Sequence, residues 1–184
     1  LSKAKQKATG AACLSNNKQL QIAWVLYSDD YDSRLVSNTN YGPISNTNLT
    51  WATGWMKPGG SFQAGSETNT DWFMHALLGR YAGNSKVFKC PADKFIFPGL
   101  TQPYPRSVSM NNWMNYSVPI PNPNTVANVY TRATDLGKPS NLYVFMHEDP
   151  NTIEDCVFRQ DMYPSGNAAN NTFAPGNTPA ALHN

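Results

Sequence analysis

An α+β fold is predicted: one long helix packed on a small antiparallel sheet with long irregular loops. Residues 1–30, LSKAKQKATGAACLSNNKQLQIAWVLYSDD, hold no proline and one glycine, and they are rich in Ala, Lys, Gln and Leu. Those are good helix formers. Strand-like runs come late, RSVSMN at 106–111 and NLYVFMH at 141–147. Helices first and strands after them argue for α+β with an antiparallel sheet on the helix.

The first helix would run about seven or eight turns, where three to four are usual. At about 100° per residue, Cys13, Leu20, Trp24 and Tyr27 share one stripe, with Ala23 at its edge. Ile22, Val25 and Leu26 make the last two turns apolar nearly all round, so the C-terminal half is expected to be buried. In the first turns Lys3, Lys5 and Lys7 alternate with small residues. That half is expected to project, basic and thinly covered.

Residues 31–70 read as loop, rich in Asn, Ser, Thr and Gly. A second helix is expected over 71–81, where Trp72, Ala76, Leu77 and Tyr81 have helical spacing and Thr70 or Asn69 is placed to cap it. Asn84-Ser85 ends it. Lys86–Cys90 reads as a short strand stopped by Pro91. Residues 106–111 alternate as a strand does. A small turn is expected around 131–136. NLYVFMH is a continuous apolar run, expected at the centre of the sheet, and residues 155–160 are expected to pair with it. From Tyr163 onward no periodicity appears. The helix, residues 1–30, and the head, 31–184, form one domain.

Composition bounds the function. Only 14% of residues are charged, and 14 Pro and 12 Gly imply many turns. That neutral-polar style leans toward work outside the cytoplasm. A net charge of +2 gives no case for nucleic acid, and no basic run follows residue 7. No segment reaches about 18 consecutive apolar residues, the length a membrane span needs. Leu1 is not a natural start, so the chain reads as a fragment that has lost its N-terminal segment.

Three cysteines allow at most one internal disulfide. A Cys13–Cys90 bridge would pin the helix to the head. Closing a loop of about 77 residues would contribute ~4 kcal/mol in the chain-entropy model. Three buried thiols with no bridge are the alternative, since unbridged Cys packs as a small hydrophobe. There is no CxxC, and the scattered His residues give no zinc spacing.

No catalytic signature is present: HExxH, GxSxG, P-loop and GxGxxG are all missing. The chain is therefore read as a non-enzyme. Glu148, Asp149 and Asp155, with Glu154, crowd one loop, and oxygen ligands in a flexible loop suit calcium. Exposed acids on a turn are the commoner explanation. Asp29, Asp30 and Asp32 at the helix end are a second candidate metal set, but acids there oppose the dipole, so pairing with Lys or Arg from the head, with Arg34 and Arg106 as candidates, is the favoured reading. Trp51, Trp55 and Trp113 lie among Asn and Ser, a composition that suits stacking on sugar rings; the other reading is local core for loops.

LSKAKQKATGAACLSNNKQLQIAWVLYSDDYDSRL resembles the N-terminal helix of bacterial prepilin-like proteins. These are the pseudopilins of planctomycete, verrucomicrobial and lentisphaeral genomes. Their pattern is roughly LxxARxKAxxxxCxxNLKQLxxAxxxYxxDxxxxxP. It is met at Leu1, Ala4, Lys7, Ala8, Cys13, Asn16, Lys18, Gln19, Leu20, Ala23, Tyr27 and Asp30. VFKCPAD at 87–93, RSVSMN at 106–111 and LYVFMHEDPNTIEDCVF at 142–158 are similar to later blocks of the family. His183-Asn184 looks like the start of its C-terminal motif. Asn17 stands where Leu is usual, and Cys156 where Gly is usual.

The resemblance implies a type IV pilin-like fold. It also implies a membrane-inserting extension before Leu1 and a role as structural subunit of a type II secretion or pilus-like filament. The subunit would be anchored in the bacterial inner membrane, with its head in the periplasm or at the cell surface. Partners would be other pilin-like subunits and the assembly machinery. Lys3, Lys5 and Lys7 would meet lipid headgroups or acidic groups of neighbours, or else form a solvated face. In the family the helix Cys and the CPxD Cys occur together, which supports the Cys13–Cys90 pair. Some type II pseudopilins hold calcium near the C-terminal sheet. The alternative function is a carbohydrate- or surface-binding module displayed on such a filament.

Overall fold

The computed structural model describes residues 2–39, 42–58, 63–116, 130–158, 160–161, 172–173 and 178–182. A single helix, α1 (Ser2–Asp30), opens the chain. The expected stripe is the buried one: Cys13, Leu20, Ala23, Trp24 and Tyr27 are all 8% exposed or less. The chain then leaves the helix through two non-glycine residues of positive φ, Asp32 and Ser33. The Ser33 N–H reaches back to the Ser28 carbonyl at 2.8 Å, a closure that satisfies an end carbonyl.

A 3-10 turn, Ile44–Leu49, interrupts the loop that follows. The second helix is broken in two, α2 (Asp71–Met74) and α3 (Gly79–Ala82). Gly79 sits where the pieces cross. A Cβ there would collide with the Met74 carbonyl oxygen, so the chain folds back too tightly for one continuous helix. Asn69 supplies the start, accepting the Asp71 N–H at 2.9 Å, while Thr70 makes no side-chain cap bond. Gly83 ends α3 in the left-handed region.

Residues 85–88 form a 3-10 turn instead of the expected strand. Asn84 explains it by accepting the Lys86 N–H on its side chain at 2.9 Å, which favours a turn over extension. The CPAD block that follows is also a turn. The Cys90 carbonyl accepts the Asp93 N–H at 3.0 Å, and Asp93 pairs with Lys89.

The sheet is mixed, with order β2-β1-β3: β1 (Val108–Asn111), β2 (Phe145–His147) and β3 (Val157–Phe158). β2 runs antiparallel to β1, with Val108 opposite His147. β3 runs parallel to β1, with Met110 opposite Val157. Three expectations are thereby corrected. The sheet is mixed where the sequence predicts a wholly antiparallel one, because β3 joins β1 in parallel. The apolar run 141–147 does not supply the central strand; its first residue closes a 3-10 turn, Pro139–Asn141, and β2 lies at the edge of the three. The segment after residue 155 pairs with β1 and not with β2. β1 takes the centre because its polar side chains find partners inside. Ser109 Oγ donates to Glu148 Oε2 at 2.7 Å, and Asn111 Nδ2 donates to the Tyr143 carbonyl at 3.0 Å. Beyond β3, a small antiparallel pair joins β4 (Gln160–Asp161) to β5 (Thr172–Phe173). The rest of the expectation for 163–184 lies largely outside the described residues.

The core lies between α1 and β1 and is centred on Trp51. Its ring stacks near Phe88 and meets Phe145, with centroids 6.3 and 5.4 Å away. Its Nε1 donates to Asn38 Oδ1 at 3.0 Å, which satisfies the indole inside the core. Arg106 is fully enclosed beside it. The guanidinium donates to the Val108 carbonyl, to Ser109 Oγ at 3.2 Å and to the Asp155 carbonyl at 2.7 Å. Its carbon lies 5.7 Å from the Trp51 ring centroid.

Candidate functional site

The outer face of α1 and a cluster where α1 meets the head are the two candidates. At the N-terminal end of α1 Lys3, Lys5 and Lys7 are exposed, as is every described residue from 3 to 8. Further along, Leu14, Ile22, Val25 and Leu26 are exposed too, by 72, 48, 43 and 46%. The expected all-round burial of the C-terminal half is thus corrected: the head covers one side of the helix, and the apolar residues opposite it stay open. At about 100° per residue those four side chains fall within an arc of about 120°. They are four of the eight large exposed apolar side chains among the described residues, so open apolar surface is concentrated on this helix. No described helix is long and apolar enough to cross a membrane.

The charges of α1 run against its dipole. Its first turn carries no acid and its last turn no base. Lysines sit near the positive end, and Asp29 and Asp30 at the negative end, where each is unfavourable. The expected pairing of these acids with Arg34 or Arg106 is not what forms. Asp30 accepts the Tyr81 hydroxyl at 2.8 Å, and the Asp32 carbonyl accepts from Arg132 at 2.7 Å. Arg106 is committed to the core.

The second candidate joins three elements. Cys13 comes from α1, Cys90 from the turn after Phe88, and His147 from the end of β2. Among the described residues, theirs are the one set of three His, Cys, Asp or Glu ligand atoms within 4.8 Å of one another. Cys13 Sγ lies 3.2 Å from His147 Nε2, across 134 positions of sequence. Asn17, one turn on from Cys13, places Oδ1 3.1 Å from the same nitrogen. Asn16 anchors the helix beside it, donating to the Lys86 and Lys89 carbonyls at 3.0 Å each. Burial pushes the Cys13 thiol up to about 12, with the Cys90 thiol adding to the effect. Cys13 and Cys90 are therefore brought together as the sequence leads one to expect, but as thiols with no disulfide between them. The absence of zinc spacing in the sequence is overtaken by the fold, which adds a histidine that no local pattern flags.

Cys156 is the third thiol and lies apart from this cluster's ligand set, fully buried. It donates to the Ala52 carbonyl at 3.1 Å. Burial pushes it up to about 12, against the opposing pull of the Arg106 charge.

The other candidates disperse. Among the described residues, Glu148, Asp149 and Asp155 do not gather as ligands. Glu148 is buried on Ser109, Asp149 holds the Asn151 N–H at 2.8 Å, and Asp155 holds the Val157 N–H at 2.8 Å. Asp149 and Asp155 are taken up by hydrogen bonds within their own turns and Glu148 by one to β1, so the three form no calcium-ligand cluster among the described residues. The aromatic platform is lost as well, because Trp51 is 0% exposed and Trp55 and Trp113 are half-buried. A cleft of about 450 Å³ that the sequence gives no hint of lies between Tyr27, Tyr31, Arg34 and Arg132.

No family model, no curated protein and no solved structure matches the chain.

Proposed function

We propose that this chain is a structural subunit that assembles through α1, a pilin-like subunit of a membrane-anchored filament in a secretion or pilus-like system. The observation that carries the reading is the outer face of α1. A helix of 29 residues is about 44 Å long. The head covers one side, and the uncovered side presents Leu14, Ile22, Val25 and Leu26 in a row. The occupant proposed for that face is the same helix of another subunit. Charge supports this choice. A neighbour staggered along the axis by about 36 Å sets its Lys3, Lys5 and Lys7 level with the exposed Asp29 and Asp30, which relieves both unfavourable dipole ends, and lays the apolar extension of its own helix along Leu14, Ile22, Val25 and Leu26. The subunit's work is assembly. In this reading an apolar extension of the same helix holds it in the inner membrane.

A photo-crosslinking amino acid at position 14 or 25 of the full-length protein, produced in its native cell, tests the reading. Adducts with like subunits are expected at both positions. Adducts absent at both, in a chain whose head is folded, would overturn it.

A further inference from the structure

The cluster under α1 has the composition and dimensions of a metal site. A tetrahedral zinc ion with Zn–S bonds of about 2.3 Å and Zn–N bonds of about 2.0–2.1 Å sets its ligand atoms about 3.5–3.8 Å apart. The Cys13, Cys90 and His147 ligand atoms already lie within 4.8 Å of one another, and the Cys13–His147 separation is 3.2 Å. Small side-chain shifts bring the three to those spacings. Both cysteines are buried, so a bound cation is shielded from water. Asn17 Oδ1 stands 3.1 Å from the histidine nitrogen, where a fourth, oxygen ligand belongs.

We propose that Cys13, Cys90 and His147 bind one zinc ion, with Asn17 Oδ1 at the fourth corner, tying α1 to the turn at residue 90 and to the edge strand of the sheet. Two thiolates and an imidazole select a thiophilic d10 cation over calcium or magnesium. The step balances without an oxidant. Two thiols lose two protons, two S–Zn bonds form, and the imidazole contributes its Nε2 lone pair with its proton on Nδ1. A disulfide from the same pair would require removal of two electrons as well. The site is independent of the filament reading, since it lies on the inner side of α1.

The full chain, isolated under reducing conditions and stripped with a chelator, is titrated with zinc and then with cobalt(II) as an optical probe. One zinc per chain is expected, with the strong d–d bands of tetrahedral cobalt and a thiolate-to-cobalt charge-transfer band. His147→Gln is expected to weaken zinc binding at least tenfold, and Cys156→Ala, outside the site, to leave it unchanged, circular dichroism confirming that both are folded. Failure of the reduced chain to take up zinc, whether or not Cys13 and Cys90 are found linked on isolation, overturns the proposal. A weak octahedral cobalt spectrum, or binding that survives His147→Gln, overturns it equally. The wild-type cobalt spectrum decides the matter even if the histidine variant does not fold.

Discussion

The side-chain amide of Asn16 donates to the carbonyl oxygen of Lys89 at 3.0 Å, and to that of Lys86 at the same distance. One helical residue thereby closes two carbonyls of the turn that leads into Cys90. Asn16→Ala takes this donor from the Lys89 carbonyl and leaves the Lys86 carbonyl with the Lys89 N–H alone. The expected cost is about 1–2 kcal/mol, read as a lower urea midpoint at unchanged slope.

Ser33 holds a left-handed conformation at φ +65°, with its N–H on the Ser28 carbonyl. A side chain there costs about 1–2 kcal/mol relative to glycine, which is partly offset by the greater unfolded freedom of glycine. Ser33→Gly is expected to stabilise the protein slightly. For a chain of this size a gain of about 1 kcal/mol raises Tm by about 2–4 °C, measurable by calorimetry.

Arg106 donates to three groups in the core and lies over Trp51. Lysine carries the charge but not the planar fork. Arg106→Lys is expected to destabilise by about 3 kcal/mol, in the range for breaking a buried charged network. Chemical denaturation followed by tryptophan fluorescence checks this, because Trp51 reports on the same contact.

Burial raises the Cys156 thiol to about 12 from 9.0. The folded state therefore keeps its proton where the unfolded state has lost it. Between about pH 9 and 12 the unfolded chain binds fewer protons, so this group's contribution to stability is intact below pH 9 and falls as pH rises through that window. Denaturation midpoints measured across about pH 8–11 should decline, and Cys156→Ala should flatten the decline. At about pH 8 iodoacetamide should reach Cys156 only after unfolding.

Reversing Lys3, Lys5 and Lys7 to Glu places acids where the helix dipole favours them. The monomer is expected to be as stable or slightly more so. Crosslinking at positions 14 and 25 is expected to fall, because the acidic ends of neighbouring helices then meet acids. A rise in salt should weaken wild-type crosslinking in the same direction.

Legibility follows the range of the interactions. α1 can be read because its signal is local: no proline, good formers and one apolar stripe at helical spacing. Its outer apolar row is hidden, because burial is set by where the head sits, which no spacing encodes. β1 is recognisable as a strand but not as the central one, since Ser109 and Asn111 disguise a buried position. VFKC mimics a strand because so short a run does not separate extension from a turn, and the deciding group is the Asn84 side chain. The Cys–Cys–His cluster is half visible. Two cysteines invite pairing, but the histidine arrives from an edge strand whose register alone puts it there. The acidic loop misleads for the opposite reason, because each acid has a partner within a few residues or inside the core.

The point at which α1 passes from open to covered falls at Cys13, and the head's grip on that end of the helix is gathered there: Asn16, Asn17 and the thiol cluster. A pull along the helix axis would load these bonds together in shear, since they cross from the helix to a turn and a strand end lying beside it. The same groups would give way one at a time if the helix were peeled from its tip. The molecule is therefore built to bear tension lengthwise and to yield sideways, the mechanical character of a peg that holds a load along its shaft.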